Sequence, residues 1–159
     1  MDKKAFIRLQ ESRPHLVILG AGASIATIPE GDKNGKKISG MDNFIENMGL
    51  ENIIEKCQIK TNSQNLEDIY SELHNTPHYK VQLKILEKEI RDSFLKFELP
   101  DHMTIYDYLI ISMRKKDLIA SFNWDPLLVE AYSRMNRITK DLPDLVFLHG
   151  NVLDGFCAA

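Results

Sequence analysis

Residues 16–24 are Leu16-Val17-Ile18-Leu19-Gly20-Ala21-Gly22-Ala23-Ser24, and this stretch decides the fold of the chain. Its first four residues are branched and apolar, which is typical of a strand buried on both faces inside a parallel sheet. The five residues that follow carry small side chains, so the backbone N–H groups of the turn can approach a ligand closely. A helix beginning here would offer unpaired donors and the positive end of its dipole to a phosphate. The stretch therefore predicts a strand, a tight turn and a helix that bind a nucleotide pyrophosphate.

The turn matches only part of the dinucleotide-binding pattern G-x-G-x-x-G, because Ile25 takes the place of the third small residue. That pattern also requires an acidic residue at the end of a second strand about twenty residues later. The sequence has a polar loop there instead. On residues 16–24 alone, a nucleotide-binding turn and an ordinary strand-to-helix turn are both open interpretations.

The polar loop spans residues 29–40 and contains three of the eight glycines of the chain. Its glycine and lysine content predicts a mobile loop. Two interpretations of this loop stay open: a lid over a bound ligand, or a solvated connection.

The composition of the 159 residues predicts one domain with a real core. The net charge is −3 and the basic residues are scattered, which argues against nucleic acid as a partner. We expect no membrane span and no signal peptide, and a cytoplasmic location, since no apolar run is long enough for either segment. Cys57 and Cys157 alone form neither a disulfide framework nor a zinc module, so the sequence supports no metal site.

The middle of the chain has helical periodicity. We expect short helices on either side of Gly49, an amphipathic helix that begins at Asn65, and a longer helix over residues 78–97. Within the last of these, Glu87 and Arg91 have the i, i+4 spacing of a favourable surface pair. Further predictions are a short helix over residues 1–13, an N-cap at Asp42, and a capping box formed by Thr104 and Asp107.

Two further apolar runs predict strands, over residues 118–122 and 145–148. The first is followed by Asn123, Trp124 and Asp125, and the second by His149, Gly150 and Asn151. Strands joined by helical crossovers are parallel, so their carboxyl ends meet at one edge of the sheet. Ligands bind at that edge in open α/β sheets, and we expect the three segments to line one site.

Three motifs in this order resemble those of the sirtuin family: Gly20–Ser24, Ser121-Phe122-Asn123-Trp124-Asp125, and Leu148-His149-Gly150. The resemblance covers residues 15–151. It implies an α/β fold of the Rossmann-like NAD-binding class, with a three-layer parallel sheet, helices on both faces and a helical insertion between the first two of these strands. It also implies NAD+ as the substrate and cleavage of its nicotinamide–ribose bond.

Residue roles are implied by the same resemblance. Gly20, Ala21, Gly22, Ala23 and Ser24 bind the pyrophosphate. Asn123 orients the nicotinamide ribose or a water molecule, Asp125 supports that binding site, and His149 is the general base.

The chain departs from deacylating sirtuins at several points. Ile28-Pro29-Glu30-Gly31 lacks the Phe-Arg pair of the family motif Ile-Pro-Asp-Phe-Arg, Phe122 replaces a glutamine, and the four-cysteine zinc ribbon is not visible. These departures are similar to those of divergent bacterial sirtuin-like domains in antiphage defence proteins. We therefore expect an NAD+ glycohydrolase, within residues 1–159 as the N-terminal part of a longer protein.

The alternatives that stay open are a module that senses NAD+ or an ADP-ribose-type ligand without turnover, an NAD+-dependent deacylase, and a structural remnant that drives assembly. A homo-oligomer is compatible with each of them.

Overall fold

The computed structural model describes residues 2–4, 13–38, 44–57, 63 and 65–153. Most of the predicted helix over residues 1–13, the N-cap at Asp42, the last two residues of the loop 29–40, and Cys157 lie outside the described residues.

The described chain is an α/β structure with a three-stranded parallel sheet. Its strands are β1 (Leu16–Leu19), β2 (Leu118–Ser121) and β3 (Asp144–Phe147), in the order β1-β2-β3. Leu19 pairs with Ser121, and Ser121 with Phe147, so the three carboxyl ends are level. The three strands and their common edge are confirmed.

Helices occupy the connections between the strands. A 3₁₀ turn over Pro77–Tyr79 separates two of the helices that lie between β1 and β2. The described helices are α1 (Ala21–Thr27), α2 (Phe44–Met48), α3 (Glu51–Cys57), α4 (Leu66–Asn75), α5 (Lys80–Phe94), α6 (Ile105–Ser112) and α7 (Leu127–Met135).

Local capping chemistry explains several helix boundaries. Asn65 accepts a hydrogen bond from the backbone N–H of Glu67 at 2.8 Å and so caps α4. Thr104 and Asp107 form the predicted capping box of α6. Gly49 ends α2 with φ of +65°, a left-handed conformation that favours glycine. The predicted long helix ends at Phe94, three residues early.

The two faces of the sheet differ. Ile119 and Leu19 belong to the buried core, against which α6 and α7 also pack. On the other face, Leu16 and Ile18 are 60% and 62% exposed, and Val146 is exposed as well. The expectation that β1 is buried on both faces is therefore wrong. In the described part of the chain, two of the three expected layers are present.

An ion pair joins α6 to α7 behind the carboxyl edge of the sheet. The Arg134 guanidinium donates to both carboxylate oxygens of fully buried Asp107 and, at 2.7 Å, to the Pro100 carbonyl. Burial acts to raise the pKa of Asp107, but donors from Arg134 and Thr104 outweigh it, and the pKa lies below its usual value. This ion pair fixes α6 relative to α7.

No helix among the described residues combines the length and the apolar character needed to cross a bilayer.

Candidate functional site

A cavity of about 850 Å³ opens at the carboxyl edge of the sheet. One part of its wall comes from the segments after the three strands. The rest comes from the helices between β1 and β2, through apolar residues such as Phe44, Ile90 and Phe94 and polar residues on α4 and α5. A volume of this size is typical of small-molecule and cofactor sites.

The cavity brings together the residues predicted from the three strand ends. Ala21, Ser24, Asn123, Asp125 and His149 all line it. These five positions therefore border one cavity, although they come from three separate segments of the chain.

The remaining turn residues lie beside the cavity, at the start of α1. Gly20 and Gly22 are exposed and Ala23 is half-buried. A Cβ atom built on either glycine meets no atom within 4 Å, so the surface next to the turn is open. The N–H groups of Ala21 and Gly22, at the start of α1, have no partner within the helix because of their position, whereas the Ala23 N–H donates to the Gly20 carbonyl at 2.9 Å.

Ser24 is the centre of a buried hydrogen-bond network that joins the segment after β1, the segment after β2 and α6. Its hydroxyl donates to Asp125 Oδ2 at 2.7 Å and lies 2.9 Å from the Tyr106 hydroxyl. It also accepts from Asn123 Nδ2 at 2.8 Å. Since its proton goes to the carboxylate, Ser24 accepts from Tyr106 as well. The sequence predicted Ser24 as a ligand-binding residue, and its side chain is fully buried in this network.

Asn123 is held in one orientation by this network. Its Nδ2 donates to the Gly20 carbonyl at 3.0 Å and to Ser24, and it also lies 3.1 Å from the Tyr106 hydroxyl. Because a carbonyl can only accept, the amide atom that faces Gly20 must be the nitrogen. The Oδ1 atom has no hydrogen-bond partner among the described residues, so it is the polar atom of Asn123 that is left for a ligand.

Asp125 is buried and is held from several sides. Its Oδ1 accepts from the backbone N–H of Leu127 at the start of α7, and its backbone carbonyl accepts from Asn151 Nδ2 at 2.8 Å. Burial raises the pKa of the Asp125 carboxyl group above its usual value, and the hydrogen bond from Ser24 opposes that shift. Asp125 therefore both accepts from the first N–H of α7, whose N-cap residue is Pro126, and anchors the polar network.

His149 differs from the other predicted residues because it is exposed. It lies in the turn after β3, and its ring contacts Phe122 edge to face, with ring centroids 5.1 Å apart. Gly150, with φ of +75°, continues the turn. The imidazole borders the cavity and is open to solvent, as proton exchange with water requires.

Sequence reasoning missed Tyr106. It is buried in α6 and meets both Ser24 and Asn123 through its hydroxyl. Burial is the main cause that raises the pKa of Tyr106 to about 12, so the hydroxyl keeps its proton and acts as a donor. The predicted capping box located the start of this helix, but it did not indicate the partners of its tyrosine.

The helices also supply a polar pair that was not predicted as a site. Tyr70 of α4 donates to Glu87 Oε1 of α5 at 2.9 Å, and both residues line the cavity. The expected surface pair of Glu87 with Arg91 is not among the ion pairs of the described residues.

The described part of the loop, residues 29–38, is attached to the end of α5. The Asp32 carboxylate accepts from the backbone N–H groups of Asn34, Lys36 and Glu98. Lys36 donates to the Ser93 carbonyl at 3.1 Å. Ile38 lines the cavity, so this loop borders the candidate site.

The described residues contain no group of three or more His, Cys, Asp and Glu side chains placed to hold a metal ion. Comparison of the chain with models of known protein families and with curated proteins finds no match.

Proposed function

We propose that this chain is a Rossmann-like NAD+-binding domain that cleaves the bond between nicotinamide and ribose. One observation carries the proposal: the turn Gly20–Ser24, the residues Asn123 and Asp125, and His149 border a single cavity at the carboxyl edge of a parallel sheet. Open parallel sheets bind ligands at this edge.

The turn Gly20–Ser24 is assigned to the pyrophosphate. Small side chains and the open surface at Gly20 and Gly22 support close approach of an anion to the backbone. The unpaired N–H groups at the start of α1 supply donors for it.

Asn123 is assigned to the reacting ribose. Its nitrogen is committed to Gly20 and Ser24, so Oδ1 is the atom that accepts a hydrogen bond from a ribose hydroxyl or from the attacking water. An amide oxygen orients such a group without adding charge to the site. Asp125 and Tyr106 act through Ser24, which keeps the amide in place.

His149 is assigned as the general base. The C1′–N bond breaks and its electron pair leaves with neutral nicotinamide, which needs no proton. Water then adds to the oxocarbenium-like ribose, and its proton passes to the imidazole of His149, which gives ADP-ribose. Positioning and electrostatics supply most of the rate enhancement in such a step, and the imidazole accepts a proton near neutral pH.

The test is incubation of the intact protein with NAD+, with and without an acetyl-lysine peptide, followed by quantification of nicotinamide, ADP-ribose and acetyl-ADP-ribose. Equal amounts of nicotinamide and ADP-ribose are expected. Acetyl-ADP-ribose would support a deacylase instead. A fluorescence change of Trp124 on NAD+ addition without nicotinamide release would support a sensing module. If NAD+ causes neither nicotinamide release nor a change in Trp124 fluorescence, the proposal is overturned.

A further inference from the structure

The helical part of the cavity wall carries an oriented carboxylate that the cleavage step does not use. The Tyr70 hydroxyl donates to Glu87 Oε1, and both side chains are half-buried. Burial, followed by this contact with Glu87, raises the pKa of Tyr70 to about 12, so the hydroxyl remains a donor. Oε2 of Glu87 has no hydrogen-bond partner among the described residues. One oxygen is thus fixed, and the other can accept from a ligand.

A second residue of the same cavity, Trp124, has a buried donor without an acceptor among the described residues. This donor is the indole Nε1–H. Its ring packs edge-on against Phe94, with ring centroids 6.4 Å apart. The nitrogen itself is buried, so the part of Trp124 that faces the cavity is its ring, which adds apolar surface.

The charge of the wall limits which part of a ligand fits. On the helical part of the wall, Glu67 and Glu87 line the cavity, whereas no Lys or Arg among the described residues lines it. Like charges placed together are strongly unfavourable, so a phosphate or carboxylate is excluded from this wall. A cationic ring that bears N–H donors is favoured.

We infer that Tyr70 and Glu87 form a subsite for the carboxamide of the nicotinamide ring, in which Glu87 accepts the amide N–H. This inference rests on the proposed function. A primary carboxamide is both donor and acceptor, and the pyridinium ring of NAD+ is cationic before cleavage. Phe44 and Phe94 add an apolar surface suited to a flat ring.

The experiment compares three ligands by fluorescence of Trp124 and by calorimetry: NAD+, its analogue with a carboxylate in place of the carboxamide, and ADP-ribose, which lacks the ring. In the wild type, the carboxylate analogue should bind at least about tenfold more weakly than NAD+. Glu87→Gln should reduce the ratio between the affinities for NAD+ and for the carboxylate analogue, and it should leave the affinity for ADP-ribose unchanged. Glu89→Gln makes the same charge change on the same helix, outside the cavity, and should preserve the ratio.

Tyr70→Phe provides a second variant, because it removes only the hydroxyl that orients Glu87. It should weaken NAD+ binding and leave ADP-ribose binding unchanged. An unchanged ratio in Glu87→Gln together with unchanged NAD+ affinity in Tyr70→Phe would overturn the subsite but not the NAD+ site. If the wild type binds none of the three ligands, the proposed function itself fails.

Discussion

The hydroxyl of Ser24 donates a 2.7 Å hydrogen bond to Oδ2 of Asp125, a residue 101 positions later in the chain. Ser24 lies in the first helix after β1, and Asp125 lies between β2 and α7. Through this bond the turn after β1 and the turn after β2 become one polar wall, to which Asn123 and Tyr106 are also joined. Ser24 therefore organises the site from inside the protein.

Replacing Ser24 with alanine should destabilise the protein by about 1–3 kcal/mol at neutral pH, because it leaves Oδ2 of the buried Asp125 carboxylate without its donor. Burial raises the pKa of Asp125, so the penalty for its charge is absent below the unfolded pKa of about 3.9 and develops as the pH rises through the folded value. Urea unfolding at pH 4 and pH 7 should therefore show that Ser24→Ala loses more free energy of unfolding at pH 7 than at pH 4. Ser71→Ala, at an exposed cavity residue, is the matched control. Equal losses at both pH values would contradict the role given to Asp125.

Arg134→Met should cost about 3 kcal/mol, because it leaves the buried carboxylate of Asp107 without its cation. The pKa of Asp107 is lowered in the folded state, so its stabilising effect is present above about pH 3.9 and is lost as the pH falls through the folded value. As the pH is lowered from 7 to 2.5, the urea midpoint of unfolding should fall more steeply in the wild type than in Arg134→Met. Arg137→Met, at an exposed arginine nearby, should leave the acid dependence intact. Parallel curves for the wild type and Arg134→Met would exclude this ion pair as a cause of acid sensitivity.

Gly22→Leu should abolish NAD+ binding while the fold is retained. The space that a side chain would enter is free of protein atoms, so the leucine occupies the surface assigned to the pyrophosphate. Calorimetric titration with NAD+ measures the binding, and circular dichroism checks the fold. Ala26→Leu adds similar bulk at an exposed position of the same helix and should bind normally. Unchanged affinity in Gly22→Leu would remove the turn from the site.

The loop that contains residues 29–38 should exchange its amide hydrogens faster than β2 and should become more protected when NAD+ binds. Ile38 borders the cavity, and the Asp32 carboxylate already provides an anchor at the end of α5. Hydrogen exchange with and without NAD+ measures this difference. Equal protection in both states would favour a plain connection over a lid.

The strands and their shared edge could be predicted from sequence, because an apolar run followed by small or polar residues is a local signal. The proximity of Ser24, Asn123 and Asp125 could be predicted for the same reason, since each lies in the segment after a strand, but the hydrogen bonds among them could not. The exposure of Leu16 and Ile18 could not be predicted, because a branched apolar run has the same pattern whether one face or two are covered.

The helical wall of the cavity could not be predicted for a different reason. Tyr70 and Glu87 meet only because α4 and α5 pack side by side, and the local spacing of Glu87 and Arg91 indicated a surface pair instead. The buried position of the Tyr106 hydroxyl likewise depends on long-range packing of α6 against the turn after β1. Such contacts leave no periodic signal along the chain.

The assignment of Asn123 and His149 to the cleavage of NAD+ is tested by nicotinamide release from the wild type, Asn123→Ala and His149→Ala. His149 is exposed, so His149→Ala should keep the stability of the wild type, whereas Asn123→Ala also removes a buried donor and should be less stable. His102→Ala changes another exposed histidine, outside the cavity, and serves as the control.

The wild type and His102→Ala should release nicotinamide from NAD+ at the same rate. His149→Ala should still bind NAD+ but release nicotinamide about a hundredfold to ten-thousandfold more slowly, as is typical when a general base is removed. Equal rates in the wild type, Asn123→Ala and His149→Ala would contradict the assignment of the site.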